Sequence, residues 1–342
     1  MPCGDRITGQ PIWPMPETAV PQTDVPGEKT ALTQPFPSKP VPYARTFVGQ
    51  DDIIDFTPAL HAQALENLKK YRWIPSPYVP PTMAGKDWLG AINIGNTTGG
   101  VNWPGASFDP ETGIFYAQAH NSAITTETIS ERYYETVNPE AQAKNRLPIW
   151  EAEPNNPVGA PPGSLPLAAA GPGRAGAGRG GAPAAAGGAE GGRGGGLNTG
   201  LQGLSIMKPP YGVLSAIDVN KGELLFKVAH GETPDVVRNS PLLKGLDIPK
   251  TGQSGSVGLF VTKTIVVVGD PQITSPPGRP RGAMLRAYDK KTGAEVGAVL
   301  MPAAQSGSPM TYSVDGKQYI IVAVSGGSYS GEYIAYSLPS TQ

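Results

Sequence analysis

The chain has 342 residues, enough for one large domain or two ordinary ones, and its net charge is −1, from 27 Lys and Arg against 28 Asp and Glu. This balance argues against a nucleic-acid surface, which requires a basic excess. Glycine (45) and proline (38) together occur at about twice their average frequency, which favours an all-β fold rich in turns and loops. With one cysteine, Cys3, no intrachain disulfide can form. No apolar run approaches the ~20 residues of a membrane span, and the first residues do not have the pattern of a signal peptide.

The N-terminal part of the chain contains a proline-rich segment, residues 14–50, and then one helix. Proline cannot donate to a sheet, so we expect 14–50 to run extended over a surface without pairing. A helix is predicted over 57–72, with Thr57 as N-cap and Pro58 at the first helical position. The acidic run 51–55 could imitate a metal site. Its place just before the helix favours a role at the helix N-terminus instead.

Residues 158–200 are of low complexity and consist mainly of Gly, Ala, Pro and Arg. The segment has no aromatic residue and almost no large aliphatic residue, so it cannot offset the entropy cost of ordering. We expect a disordered loop inserted between structured elements. An RNA-binding tract of the Arg-Gly type is the alternative, and the lack of any Phe or Tyr disfavours it.

Short hairpins with similar turns recur along the chain, which is typical of β-propeller blades. Turn sequences running from Asp to Gly occur at 5–9, 218–222 and 289–293, and a related turn lies at 109–113. In these turns the aspartate can bond the backbone ahead of it and the glycine accepts a positive φ. Asp315-Gly316 is a further hairpin signal. The residues eight positions after the first aspartate of the three similar turns are Trp13, Phe226 and Gly297.

The pattern Ala-x-Asp-x-x-Thr-Gly-x-x-x-Trp resembles the tryptophan-docking motif of quinoprotein dehydrogenases, which use pyrroloquinoline quinone (PQQ). Several stretches are similar to the membrane-bound glucose and quinate dehydrogenase branch of that family. They are 13–14 with 20–22, 33–37, 100–103, 285–289, 309–312 and 331–339. The resemblance implies an eight-bladed β-propeller in which the motif's Trp locks each blade to the next. Phe226 and Gly297 stand where that Trp is expected, so weaker locking is expected there.

The resemblance also implies that this chain is the C-terminal half of such a dehydrogenase, with about half of the ring. In the family, the turn that matches Asp5–Gly9 lies past the middle of the catalytic domain. The catalytic Asp, a cofactor-binding Lys and the ligands of a Ca²⁺ or Mg²⁺ ion come before it. We therefore expect no catalytic base and no metal ligand in this chain.

The cofactor residues that the resemblance implies here are Asn102, Trp103 and, more weakly, Asn96. An Asn amide can both donate to a quinone oxygen and accept from another group. Asn102 could equally be a strand-entry residue and Trp103 a core residue. His120 is a candidate for lining the channel. Ser328 stands where the glucose branch often has a histidine, which puts an imidazole contact there in doubt.

Two functions follow as hypotheses. In the first, the chain is part of a PQQ-dependent dehydrogenase that oxidises a sugar or polyol hydroxyl and passes electrons to a quinone-type or dye acceptor. In the second, it is a catalytically incompetent half-propeller that is structural or binds a partner. The family implies a periplasmic setting, and an open half-propeller exposes unpaired edges that an upstream half could cover.

Overall fold

The computed structural model describes residues 4–25, 28–83, 87–94, 100–101, 104–129 and 197–338. Strands dominate, and three antiparallel sheets follow one another along the chain from Ser107 onwards. Sheet A contains, in spatial order, β5 (Ser107–Asp109), β6 (Ile114–His120), β8 (Gly212–Asp218) and β9 (Glu223–Ala229). Sheet B contains β10 (Leu259–Val261), β11 (Ile265–Gly269), β12 (Ala283–Asp289) and β13 (Glu295–Met301). Sheet C contains β14 (Ala304–Gln305), β15 (Met310–Val314), β16 (Lys317–Gly326) and β17 (Tyr329–Ser337).

In sheet C, β14 and β15 pair with the same edge of β16, and β17 pairs with its other edge. The remaining strands are β1 (Glu17–Ala19), β2 (Thr33–Pro35), β3 (Thr82–Met83), β4 (Ala91–Ile94) and β7 (Ile124–Ile129). In this group β1 pairs with β2, and β7 lies between β3 and β4. The described sheets do not close into a ring.

Apolar residues pack the sheets face to face. One core cluster joins sheets A and B through residues such as Tyr116, Leu214 and Val268, and another joins sheets B and C. A third cluster surrounds the helix α1 (Pro58–Leu68) and includes Ile54. A short helix, α2 (Asp235–Arg238), lies in the connection from β9 to β10. Successive sheets stacked through their faces are the packing that the repeated hairpins predicted.

The predicted hairpin turns form as expected. The Gly113 N–H donates to the Asp109 carbonyl over 2.8 Å, and the same bond closes the turns at 218–222 and 289–293. The glycines that end these three turns have φ between 68° and 73°. The first copy, Asp5–Gly9, forms the same turn but is followed only by a single bridge between Gly4 and Pro11.

Aromatic rings pack on the turn glycines of neighbouring elements. A Cβ added to Gly222 would lie 3.1 Å from Cζ2 of Trp13, and one added to Gly293 would lie 2.6 Å from Cδ2 of Phe226. A Cβ on Gly297 or Gly316 would have no neighbour within 4 Å. An aromatic ring therefore packs on the turn of sheet A, from Trp13, and on the turn of sheet B, from Phe226. Gly297, the third residue in this series, has no side chain that could make such a contact.

Three sequence-based expectations need correction. The prolines of 14–50 do not prevent pairing, because β1 and β2 form a two-stranded ladder of three residues. Each strand has one free edge, so the N–H that Pro35 lacks removes no hydrogen bond from the interior of a sheet. The helix begins as predicted, with the Leu60 N–H donating to Thr57 Oγ1, but it ends at Leu68 rather than at residue 72. Of the segment 158–200, residues up to 196 lie outside the described part, and Leu197 is buried in the core around α1.

Candidate functional site

The segments that lead into β5, β10 and β15 meet at the end of the sheets opposite the hairpin turns. The His120 N–H, at the end of β6, donates to the Gly100 carbonyl over 2.8 Å, so Gly100 lies beside the last residue of that strand. Gly258 precedes β10, and a Cβ there would lie 2.6 Å from the Cβ of Ser308. These three strand entries therefore form one cluster, which we call the entry cluster.

Two serine hydroxyls join the entry cluster across the sheets. Ser256 Oγ donates to the Gly100 carbonyl over 3.0 Å, and Ser308 Oγ donates to the Pro104 carbonyl over 3.0 Å. The two acceptors lie on either side of residues 102–103 in the sequence. One hydrogen bond from the segment before β10 and one from the β14–β15 connection thus fix the two described ends of the segment that leads into β5.

Buried glutamine amides fix the other two entries. Gln118 accepts from the Val257 N–H (2.9 Å) and donates to the Gly255 carbonyl (2.8 Å). Gln305 accepts from the Gly269 N–H and donates to the carbonyls of Gly258 and Gly307, each over 2.6 Å. Both side chains are buried, so their hydrogen bonds replace those that water would supply. The entries are rigidly held by side chains that the sequence did not single out.

The predicted cofactor residues Asn102, Trp103 and Asn96 lie outside the described residues. Their described neighbours Val101 and Pro104 belong to the entry cluster. His120 is next to the cluster through its backbone.

Ser328 and the other two histidines of the chain, His61 and His230, lie elsewhere. Ser328 is exposed in the connection from β16 to β17. His61 lies on α1, with its Nδ1 3.0 Å from the Ile54 carbonyl. His230 is completely buried between Tyr288 and the Gly269 carbonyl.

The acidic run 51–55 is occupied by structural contacts. Asp52 accepts from Arg45 Nε over 2.6 Å and from the Gly49 N–H over 2.9 Å. Asp55 pairs with Lys208 over 3.3 Å. Within the described ranges, no three His, Cys, Asp or Glu side chains are grouped so that they could hold a metal ion.

With this geometry in place, comparison with known proteins identifies the family. Residues 4–320 match the family described as "PQQ: Glucose/ethanol/alcohol dehydrogenase, beta-propeller domain". The chain belongs to this family of PQQ-dependent dehydrogenases. Its members are oxidoreductases that act on alcohols and sugars, and the all-β propeller architecture and the resemblance inferred from the sequence are thereby confirmed.

Three relatives align over nearly the whole chain. They are the quinate/shikimate dehydrogenase (quinone) of Acinetobacter baylyi, 24% identical over 98% of this chain, the glycerol dehydrogenase large subunit of Gluconobacter thailandicus, 25% identical over 98%, and the quinoprotein glucose dehydrogenase A of Acinetobacter calcoaceticus, 26% identical over 99%. The chain spans only 36%, 41% and 37% of their respective lengths.

Among solved structures, the quinohemoprotein alcohol dehydrogenase from Comamonas testosteroni overlaps 73% of this chain and 28% of its own, at 17% identity and a TM-score of 0.36. The family assignment rests on the sequence match. No helix in the described part of the chain has the length and apolar character needed to cross a membrane.

The described side chains of the entry cluster hold the backbone around residues 102–103 rather than offering groups of their own to PQQ. PQQ is an ortho-quinone that carries carboxylates, so its site needs hydrogen-bond donors or a cation at the quinone and cations at the carboxylates. The hydroxyls and amides of the described cluster residues donate to backbone carbonyls, and these residues include neither a cationic side chain nor a carboxylate. They cannot by themselves supply the base that removes a proton from an alcohol.

Proposed function

We propose that this chain is the C-terminal part of a PQQ-dependent dehydrogenase that oxidises a sugar or polyol hydroxyl and delivers the electrons to a quinone-type acceptor. The observation that carries the proposal is the entry cluster. Hydrogen bonds from Ser256 and Ser308 hold both described ends of the segment that contains Asn102 and Trp103. The family match supplies the cofactor class.

Within this proposal, Asn102 would donate its amide to the polar edge of PQQ, Trp103 would form a wall of the pocket and Asn96 would belong to the same shell. When bound, PQQ would supply the electron acceptor for alcohol oxidation, and a Ca²⁺ or Mg²⁺ ion would supply Lewis-acid polarisation. The Asp base, a cofactor-binding Lys and the cation ligands would come from the part of the family architecture that this chain does not span. The site would face the periplasm, as the family implies.

The packing of Trp13 on Gly222 and of Phe226 on Gly293 supports a further part of the proposal. We interpret these contacts as the counterparts of the family's tryptophan-docking motif. Sheets A, B and C would then be consecutive blades of an eight-bladed ring, and the remaining blades would belong to an upstream half.

PQQ binding by Asn102 variants tests the proposal. The purified chain is titrated with PQQ in the presence of Ca²⁺, and binding is followed by the change in tryptophan fluorescence. Asn102→Ala is expected to weaken binding by about tenfold, the usual value of one well-placed hydrogen bond to a charged or strongly polar group. Asn220→Ala, at an exposed turn at the opposite end of sheet A, is the matched control. Equal affinities in the two variants would remove Asn102 from the site.

The alternative is a half-propeller without catalytic competence. Binding of PQQ without turnover is compatible with the first function and excludes a purely structural role.

A further inference from the structure

The outer strand of sheet B, β13, is apolar although it lies at the surface. Its side chains Val296, Val299 and Leu300 are 59%, 50% and 40% exposed. After its first residue the strand has no charged residue. In the part of the chain that the structure describes, no strand pairs with its outer edge. Exposed apolar side chains next to unpaired backbone groups indicate an interaction site.

The outer strands of sheets A and C do not share this character. An exposed edge strand commonly carries a charge or a proline that prevents pairing with another chain. On β9 this charge is Lys227, whose Nζ donates to the Pro42 carbonyl over 3.0 Å, and on β17 it is Glu332. In β13 neither feature is present after the first residue. A bulge opposite Tyr288 interrupts its N-terminal end, so the regular part of the edge is 297–301.

The backbone groups of β13 that point outward follow from its partner strand. The Met284 carbonyl accepts from the Asp270 N–H over 2.7 Å and the Met284 N–H donates to Asp270 Oδ2 over 3.2 Å, so both groups point towards β11. Its register partner Leu300 therefore directs its N–H and C=O away from β12, and so does Ala298 two residues earlier. The Leu300 carbonyl accepts from the Tyr336 hydroxyl over 3.2 Å and keeps a second lone pair.

The outward groups of β13 are self-complementary. When two copies of the strand run antiparallel about a two-fold axis at Val299, Ala298 of each copy lies opposite Leu300 of the other. These two residues then exchange N–H···O=C hydrogen bonds, and the two Val299 side chains meet at the closely spaced position of the ladder. In the same register Glu295 falls opposite Ala303, so no like charges face each other.

We propose that two copies of this chain associate through β13, by antiparallel pairing of residues 297–301 across a two-fold axis. Such a contact joins the two copies of sheet B into one continuous sheet and closes at the dimer. Pairing of one strand edge buries less surface than the ~1,200 Å² of a stable complex, so a Kd on the order of 10⁻⁵ M is expected. The entry cluster lies beside β10, at the opposite edge of sheet B, and stays accessible in this dimer.

Sedimentation velocity of the full chain, over a concentration series that reaches several hundred micromolar, tests the proposal. We expect monomer to convert to dimer without larger species. Val299→Lys places two like charges opposite each other and is expected to weaken the dimer by at least about tenfold. Leu225→Lys is the matched control, because Leu225 is 44% exposed on β9, the outer strand of sheet A, and its replacement should leave the dimer unchanged.

A charge-reversal pair tests the two-fold register. Val299→Glu alone should be monomeric, like Val299→Lys. An equimolar mixture of the two variants is expected to form a heterodimer, because the introduced charges are then opposite in sign and face each other. Damage to the fold of sheet B by either substitution would not be repaired by mixing.

The proposal is overturned if the chain stays monomeric throughout the series, if Val299→Lys associates like the original chain, or if Leu225→Lys also loses the dimer. Species larger than a dimer would contradict closure by a two-fold axis. The same axis is ruled out if the mixed variants stay monomeric while circular dichroism shows both to be folded. The measurements involve no PQQ, so their failure leaves the proposed dehydrogenase function untouched.

Discussion

His230 is a buried imidazole whose two nitrogens both have partners. Its Nε2 lies 3.1 Å from the Gly269 carbonyl, which can only accept, so Nε2 carries the proton. Its Nδ1 therefore accepts from the Tyr288 hydroxyl at 3.0 Å, and that hydroxyl in turn accepts from the Gly231 N–H. The imidazole thus ties the end of sheet A to two strands of sheet B. This role is structural.

Burial lowers the pKa of His230 to about 3, from a usual value near 6.5. The folded state keeps the imidazole neutral, whereas the unfolded state takes up a proton below about pH 6.5. Stability from this residue is therefore complete above that pH and decreases as the pH falls towards 3, by ~1.4 kcal/mol per pH unit.

Urea unfolding at several pH values between 7 and 4 checks this dependence. His230→Gln, whose amide can still donate and accept, is expected to be less stable at pH 7 but to show a shallower loss of stability with acid. His61→Gln, on α1, is the control and should keep the slope of the original chain. Identical slopes for His230→Gln and the original chain would contradict the assignment.

A buried ion pair between Lys290 and Asp109 also joins sheets A and B. Lys290 Nζ lies 2.7 Å from Asp109 Oδ2, and the side chains are 7% and 6% exposed. The hydrogen bond from Lys290, followed by that from Thr112, holds the pKa of Asp109 below its usual range. The pair joins the turn of sheet A to the turn of sheet B.

Lys290→Met leaves the Asp109 carboxylate buried without its cation and is expected to lower the free energy of unfolding by on the order of 3 kcal/mol. Denaturant titration at pH 7 measures the loss. Lys69→Met, which removes an exposed pair with Glu66, should change stability by less than about 0.5 kcal/mol. A similar small loss for both variants would show that the buried pair contributes no more than the exposed one.

At the scale of elements, the contact between Phe226 and Gly293 couples sheets A and B. Gly293→Ala adds a Cβ 2.6 Å from the Phe226 ring at a residue with φ of +73°. Gly316→Ala, at φ of +75° with no neighbour within 4 Å, incurs only the backbone cost.

We expect Gly316→Ala to cost about 1 kcal/mol from its left-handed φ. Gly293→Ala should cost about 1–3 kcal/mol more, because the ring must move. Thermal and urea unfolding of the two variants measure the difference. Equal losses would mean that Phe226 adjusts freely and does not lock the two sheets together.

The sequence predicted the elements whose cause is local. The hairpins at 109–113 and 289–293 could be predicted because an Asp bonding its own turn and a Gly at positive φ act within five residues. The pairing of β1 with β2 could not, since it joins residues 17–19 to 33–35 across intervening prolines. The end of α1 depends on tertiary packing, which overrides local propensity.

At the scale of the whole molecule, the repeats were enough to predict the family and the stacking of the sheets, but not the entry cluster. Ser256 contacts Gly100 across more than 150 residues, and Ser308 contacts Pro104 across more than 200. No local pattern marks a serine for such a contact.

The central claim is that this chain provides a PQQ-binding part of a dehydrogenase and requires the rest of the architecture for catalysis. The most direct measurement titrates the purified chain with PQQ in the presence of Ca²⁺ or Mg²⁺, reading the thermal shift alongside dye reduction with glucose. We predict a stabilising shift without dye reduction. Dye reduction by the chain alone would contradict the claim, because it requires a base within this chain, and the lack of any shift would contradict cofactor binding.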